Sequence, residues 1–187
     1  MENPWDIVSQ GHNLSAYERD KVFLNLAGKD FVDISFPSGA DSEGDGRCAV
    51  AADFRNTGQL DVLVRQVSGG AVTLYENLFP QRHYLKVSLR GSKSNKLGLG
   101  ARLTVIAGGL TQTRELYPIN TFLSQAPSLV HFGLGDAADV ERLTIRWPSG
   151  TEQTFRNLSG DRHVLVDEGK SGSDAVQVVL PGRTLPP

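Results

Sequence analysis

The sequence predicts an all-β protein, and three observations carry that expectation. Apolar residues fall in short runs with an alternating pattern. Turn signals separate these runs at spacings of about ten residues, and no segment sustains a 3.6-residue period. Twenty Gly and nine Pro among 187 residues supply the punctuation. They follow no repeat, which excludes collagen. The length fits one ordinary domain or two small ones. Nineteen basic against twenty-one acidic side chains leave a formal charge of -2, which argues against a dedicated nucleic-acid surface.

Each element follows from local pattern. The first twenty residues are polar, with Trp5, Ile7 and Val8 as apolar anchors. Residues 21–26 and 31–35 are β-rich and flank a turn at 27–30, which predicts a hairpin. Residues 37–47 are Pro, Ser, Gly and Asp, and predict a loop. Strands are expected at 47–53, 60–65 and 72–78, with turns at 54–59 and at Gly69-Gly70. The run 72–78 (VTLYENL) echoes 22–26 (VFLNL), and a unit of about fifty residues suggests a repeat array or a propeller blade.

After Pro80 the texture changes. Strands are expected at 83–89, 101–106, 110–117, 129–132, 143–147, 151–155 and 163–166, with a basic Ser/Gly-rich loop at 91–100 and a helical turn at 137–142. This rhythm predicts a β-sandwich or barrel. The tail from Gly169 holds one further β-like run at 175–180. The expected division is a blade-like region at 1–79, a β domain at 80–168 and a tail at 169–187.

Cys48 stands alone, so no disulfide within the chain and no cysteine-based zinc site can form; its flanks predict a buried strand. No run approaches the roughly 20 apolar residues of a membrane-spanning helix. The opening residues, Met1-Glu-Asn-Pro-Trp-Asp6, lack the basic and then apolar pattern of a secretion signal.

Residues 53–61 have the outline of a calcium loop. Asp53, Gly58 and Asp61 fit its first, sixth and ninth positions, but Arg55 and Thr57 stand where oxygen ligands belong. The competing reading is a turn in which Asp53 and Asp61 accept backbone hydrogen bonds or pair with Arg55. Residues 41–46 place oxygens at Asp41, Glu43 and Asp45 with Gly46 at six, yet Ala49 stands at nine. A solvated loop competes with calcium held by the two loops together. The glycines of 95–102 precede a strand, not the helix that a phosphate loop requires, and predict a bulge or turn. His12, His83, His131 and His163 are scattered singly, and Ser149 lacks the Gly-x-Ser-x-Gly elbow. Trp147, in Trp-Pro-Ser-Gly150, is either a core residue or an exposed ring that stacks on a sugar.

In order along the chain stand Asn95, Gly98, Gly100-Ala-Arg102, Arg114-Glu115, Phe122-Leu-Ser-Gln125, His131-Phe-Gly-Leu-Gly135 and Trp147-Pro-Ser-Gly150. This series resembles the ASPIC/UnbV domain of the cartilage acidic protein-like family; Asn120 departs from its usual glycine. Residues 21–33 and 46–78 resemble an FG-GAP or VCBS-type propeller repeat, with 53–61 in the place of that family's calcium loop. The resemblance spans roughly residues 20–168 and implies an all-β protein, often with extracellular adhesion or matrix roles, and no established catalytic residues. A lone blade has exposed edges, so it would pack on the C-terminal domain or be covered by a second copy in a homodimer.

Three function classes follow. A non-catalytic binding or interaction module, with a protein or glycan partner, agrees with the missing nucleophile and metal motifs and with the resemblance. An accessory protein or enzyme of bacterial enediyne-type biosynthesis would require a pocket uniting Arg102, Arg114, Glu115 and His131. A carbohydrate-binding module would present Trp147 or Tyr117 as an aromatic platform. No cofactor is expected beyond calcium at Asp53, Asp61, Asp41, Glu43 or Asp45. A chain excised from a typical family member would be extracytoplasmic.

Overall fold

The computed structural model describes residues 6, 9–10, 18–26, 28–66, 71–117, 122 and 124–181. Trp5, Ile7, Val8, His12, Gly69, Gly70, Asn120, Leu123 and the end of the tail lie outside them. The chain divides into two compact units. One comprises residues 1–51, 61–77 and 121–124, the other 52–60, 78–120 and 125–187.

The first unit holds two small sheets. Strands β1 (Phe23–Asn25) and β2 (Phe31–Asp33) form a hairpin in which Leu24 faces Val32. One helical turn, α1 (Ser35–Ser38), follows it. Strands β3 (Gly46–Ala52), β4 (Asp61–Gln66) and β5 (Thr73–Tyr75) form a three-stranded sheet in that order. Among the described residues of this unit, Ala40 alone of the apolar side chains is buried, while Phe23, Phe31 and Leu74 are each more than half exposed. Cys48, expected in a buried strand, is accordingly half-buried.

The second unit is a β-sandwich. Its strands are β6 (His83–Arg90), β7 (Arg102–Ala107), β8 (Leu110–Glu115), β9 (Val130–Gly135), β10 (Asp139–Arg146), β11 (Glu152–Ser159), β12 (Arg162–Asp167) and β13 (Val176–Pro181). One sheet, ordered β11-β10-β7-β8, is antiparallel throughout. The other, ordered β13-β12-β6-β9, is mixed, because β6 and β12 run parallel. Both sheets are open, which makes the unit a sandwich and not a barrel. The run at 175–180 is the edge strand β13.

Alternation sends one face of each strand into a shared core. Leu85, Val87 and Leu89 of β6, Phe132 of β9 and Val164 and Val166 of β12 meet Leu103, Val105, Leu143 and Ile145 from the opposite sheet. Most are fully excluded from water, and each contributes about 1.5–3 kcal/mol of burial. Residues 137–142, expected as a helical turn, instead enter β10 at Asp139. Val140 pairs with Leu158 of β11 and is fully buried, so the sheet ladder overrides a polar local pattern.

Trp147 belongs to this core at 2% exposure, and its indole N–H donates to Gln153 Oε1 at 2.5 Å. Gly98 lies against it in a left-handed conformation, φ 66°. A Cβ there would sit 2.7 Å from Leu89 Cβ and 3.1 Å from Trp147 Cζ3. Gly98→Ala is therefore expected to cost about 2–3 kcal/mol, from strain and overpacking together. Gly109, at φ 76° with open space around it, should lose only the backbone part, about 1 kcal/mol, as alanine. Chemical denaturation of both variants checks this; equal losses would remove the packing argument.

Candidate functional site

Three polar arrangements in the sandwich unit contain the residues of interest. The first lies on the outer face of the mixed sheet. Lys86 of β6 pairs in register with His131 of β9 and with His163 of β12, opposite the core-facing side chains. Residues 53–58 cover this face. The Lys86 ammonium donates to Asp53 Oδ2 at 2.8 Å and to Asn56 Oδ1 at 2.7 Å. The Lys86 and Asp53 side chains are only 7% and 3% exposed. Asp53 also accepts the Thr57 and Gly58 amides, each at 2.8 Å. Burial pushes its carboxyl up, but the Lys86 and amide hydrogen bonds outweigh that and hold it below the usual range.

Gly58 completes the contact. Its carbonyl accepts from His131 Nε2 at 2.7 Å, which places the ring proton on Nε2. Burial lowers the His131 pKa, so the imidazole is neutral in ordinary conditions. The Tyr84 ring stacks parallel to His131 with centroids 6.0 Å apart. A Cβ on Gly58, at φ 86°, would fall 2.0 Å from that Tyr84 ring. Beside them, Ser88 Oγ and His163 Nε2 share a hydrogen bond of 2.7 Å.

These residues do not fit a calcium ion. Calcium takes six to eight oxygens, several of them anionic. Here Asp53 and Asn56 already surround a tethered cation, the Lys86 ammonium. Asp61 belongs to the other unit, is 1% exposed and accepts the Asn77 amide at 2.9 Å. Asp41 pairs with Arg19 at 3.0 Å, Glu43 shares the same guanidinium, and Asp45 is fully buried. Among the described residues no three His, Cys, Asp or Glu side chains assemble into a metal-binding group.

The second arrangement surrounds Glu168, at the end of β12. Its Oε2 accepts the amides of Ser92, Lys93 and Ser94, each at 2.7 Å. Its Oε1 accepts Ser94 Oγ at 2.8 Å and Ser149 Oγ at 2.6 Å. Asn95 closes the same loop by exchanging two 2.8 Å hydrogen bonds with the Leu99 backbone. Motif residues Asn95, Gly98, Trp147 and Ser149 thus form one structural junction, and Trp147 presents no face to a sugar.

The third arrangement is the outer face of the antiparallel sheet. Arg102 bonds Glu115 Oε1 through Nε at 2.8 Å, and Tyr117 donates to the other Glu115 oxygen. Arg114 lies on the opposite face of β8, its guanidinium 5.9 Å from the centroid of the core Phe132 ring. Of the residues expected to converge in a pocket, Arg102 and Glu115 meet, whereas Arg114 and His131 stand apart. Strand register sets three rows across the four strands. They read Arg156-Arg142-Ile106-Thr111, then Thr154-Thr144-Thr104-Thr113, then Glu152-Arg146-Arg102-Glu115. The threonine hydroxyls bond pairwise, Thr144 with Thr154 at 3.3 Å and Thr104 with Thr113 at 3.1 Å.

Lys86 and Glu168 escaped sequence reasoning. The incomplete ligand set of residues 53–61 hints at a missing cation, but no local signal names a lysine twenty-five residues beyond Asp61. The threonine row is invisible without the register.

Residues 91–173 match the family model described as ASPIC and UnbV. The chain thus carries an ASPIC/UnbV domain, which includes all three rows of the antiparallel face and the Glu168 junction. The central strand β6, with Lys86, precedes the matched segment. No curated protein matches the chain.

Two predictions follow from these contacts. Lys86→Met leaves a buried carboxylate unpaired and should cost about 3–5 kcal/mol, while Lys86→Met with Asp53→Asn should cost less than the two single changes summed. Melting of the wild type should be the same in calcium and in a chelator; a calcium-dependent rise would mean that a metal displaces Lys86.

Glu168 makes a second case. Burial raises its carboxyl, but the Ser149 and Ser94 hydrogen bonds prevail and hold it at about 2, against an ordinary 4.5. Its contribution is complete above 4.5 and is lost as pH falls towards about 2. Wild-type melting temperature should drop through that window. Glu168→Gln should melt lower at neutral pH and decline less on acidification; equal declines would assign the acid sensitivity to other carboxylates.

Proposed function

We propose that this chain is a non-catalytic binding module of the ASPIC/UnbV type that meets its ligand on the outer face of the antiparallel sheet. The observation that carries the reading is a pair of like-charge juxtapositions. Arg142 stands directly opposite Arg156, and Arg146 directly opposite Arg102. Directly opposed like charges destabilise a sheet by about 0.2–1 kcal/mol. Two on one face are accounted for by a ligand that neutralises them.

An enzymatic reading needs Arg102, Arg114, Glu115 and His131 to converge, and they are spread over both sheets and both faces of β8. Residues 21–33 and 46–78 fit this proposal as an FG-GAP or VCBS-type repeat whose calcium loop lacks oxygen ligands at Arg55 and Thr57. Its hairpin exposes apolar residues on both faces, Leu24 and Val32 on one and Phe23 and Phe31 on the other, an edge suited to cover by a second copy of the chain.

The proposal is tested on printed glycan and protein arrays with the wild type and the Arg102→Ser/Arg146→Ser variant. Signals present for the wild type should disappear for the variant. Signals unchanged in the variant would place the binding surface elsewhere.

A further inference from the structure

We infer that the antiparallel face binds an acidic polysaccharide, a chain of sugars bearing carboxylate or sulfate groups; this rests on the binding-module reading above and names its ligand class. The rows hold four arginines against two glutamates, an excess of positive charge on a chain whose formal net charge is -2. Arg102 is partly neutralised by Glu115. The side chains of Arg142, Arg146 and Arg156 make no ion pair or hydrogen bond with another described residue. A guanidinium presents paired donors that match a carboxylate or sulfate, and two guanidinia on adjacent strands can grip one such anion between them.

The spacing calls for a polymer. The two arginine pairs are four residues apart along β10, about 13 Å at the rise of an extended strand. One anionic group can serve one pair only. A ligand that serves both must carry anions at intervals along a chain. Between the pairs runs the row Thr154-Thr144-Thr104-Thr113, whose hydroxyls both donate and accept and so suit the hydroxyls of a sugar.

The same surface suits other polyanions less well. Single-stranded nucleic acid is held by aromatic side chains on which bases stack, and the three rows contain none. A protein partner would need an apolar centre, and Ile106 is the sole large apolar side chain in the rows.

The test uses the intact chain and size-defined heparin oligosaccharides, with binding followed by fluorescence anisotropy at two salt concentrations. An octasaccharide should bind at least tenfold more tightly than a disaccharide, because engagement of the second arginine pair becomes intramolecular. Added salt should weaken it, and neutral dextran should not compete. Arg142→Thr/Arg156→Thr and Arg102→Ser/Arg146→Ser should each weaken octasaccharide binding about tenfold or more, and Arg47→Ser, on β3 of the other unit, should leave it unchanged. Arg142→Thr/Arg156→Thr should melt at or above the wild-type temperature, since it removes a like-charge pair; this separates loss of binding from loss of fold. Octasaccharide binding that is absent, or that survives both double variants, overturns the inference. If oligo(dT) or poly-glutamate binds instead and the double variants abolish it, the ligand class is wrong and the binding face stands. If no polyanion responds to the variants, both fall.

Discussion

The Glu168 carboxylate is the point at which the two sheets of the sandwich are tied together at one end. Glu168 follows β12, and Ser92, Lys93 and Ser94 follow β6, both strands of the mixed sheet. Ser149 lies in the hairpin between β10 and β11, in the antiparallel sheet. Three amides and two hydroxyls on one buried carboxylate satisfy a charge that would otherwise oppose burial. That tie sets the path of the loop at 91–100, seats Gly98 on Trp147 and closes the core above Leu89. Asn95, Gly98, Trp147 and Ser149 of the signature series are parts of this junction. At these positions the signature encodes a structural scaffold.

Residues 53–58 solve a related problem, and there the carboxylate is met by a cation. The loop turns the Asp53 carboxylate and the Asn56 amide oxygen inward, and these need a positive charge. Lys86 supplies it from the middle of a sheet, with His131 and Tyr84 holding the Gly58 end of the loop. Residues 53–58 thereby cover part of the outer face of the mixed sheet.

Much of the fold was legible in local pattern. Residues 83–89 alternate, and β6 is the strand that pattern implies. The turns around Gly28, Gly98 and Gly150 fall where glycine permits a left-handed backbone. Local reasoning failed where a neighbouring strand outvoted it. Residues 137–142 look like a polar helical turn until Val140 finds Leu158. Trp147 could be read as platform or core, and its burial under Gly98 decides for core. Arg114 and Glu115 are both expected to line one pocket, but adjacent residues of a strand point to opposite faces.

By itself, then, the sequence determined the secondary-structure type, the turn positions, the two-part organisation of its texture and the family signature, because these depend on neighbours within a few residues. It also established that residues 53–61 are short of calcium ligands. Only the tertiary structure decided that Lys86 pairs with Asp53, which sheet each strand joins, and that arginines and threonines distant in sequence align in rows on one face. Strand pairing brings together residues tens of positions apart, and a shift of one residue in register would send every one of those side chains to the other face.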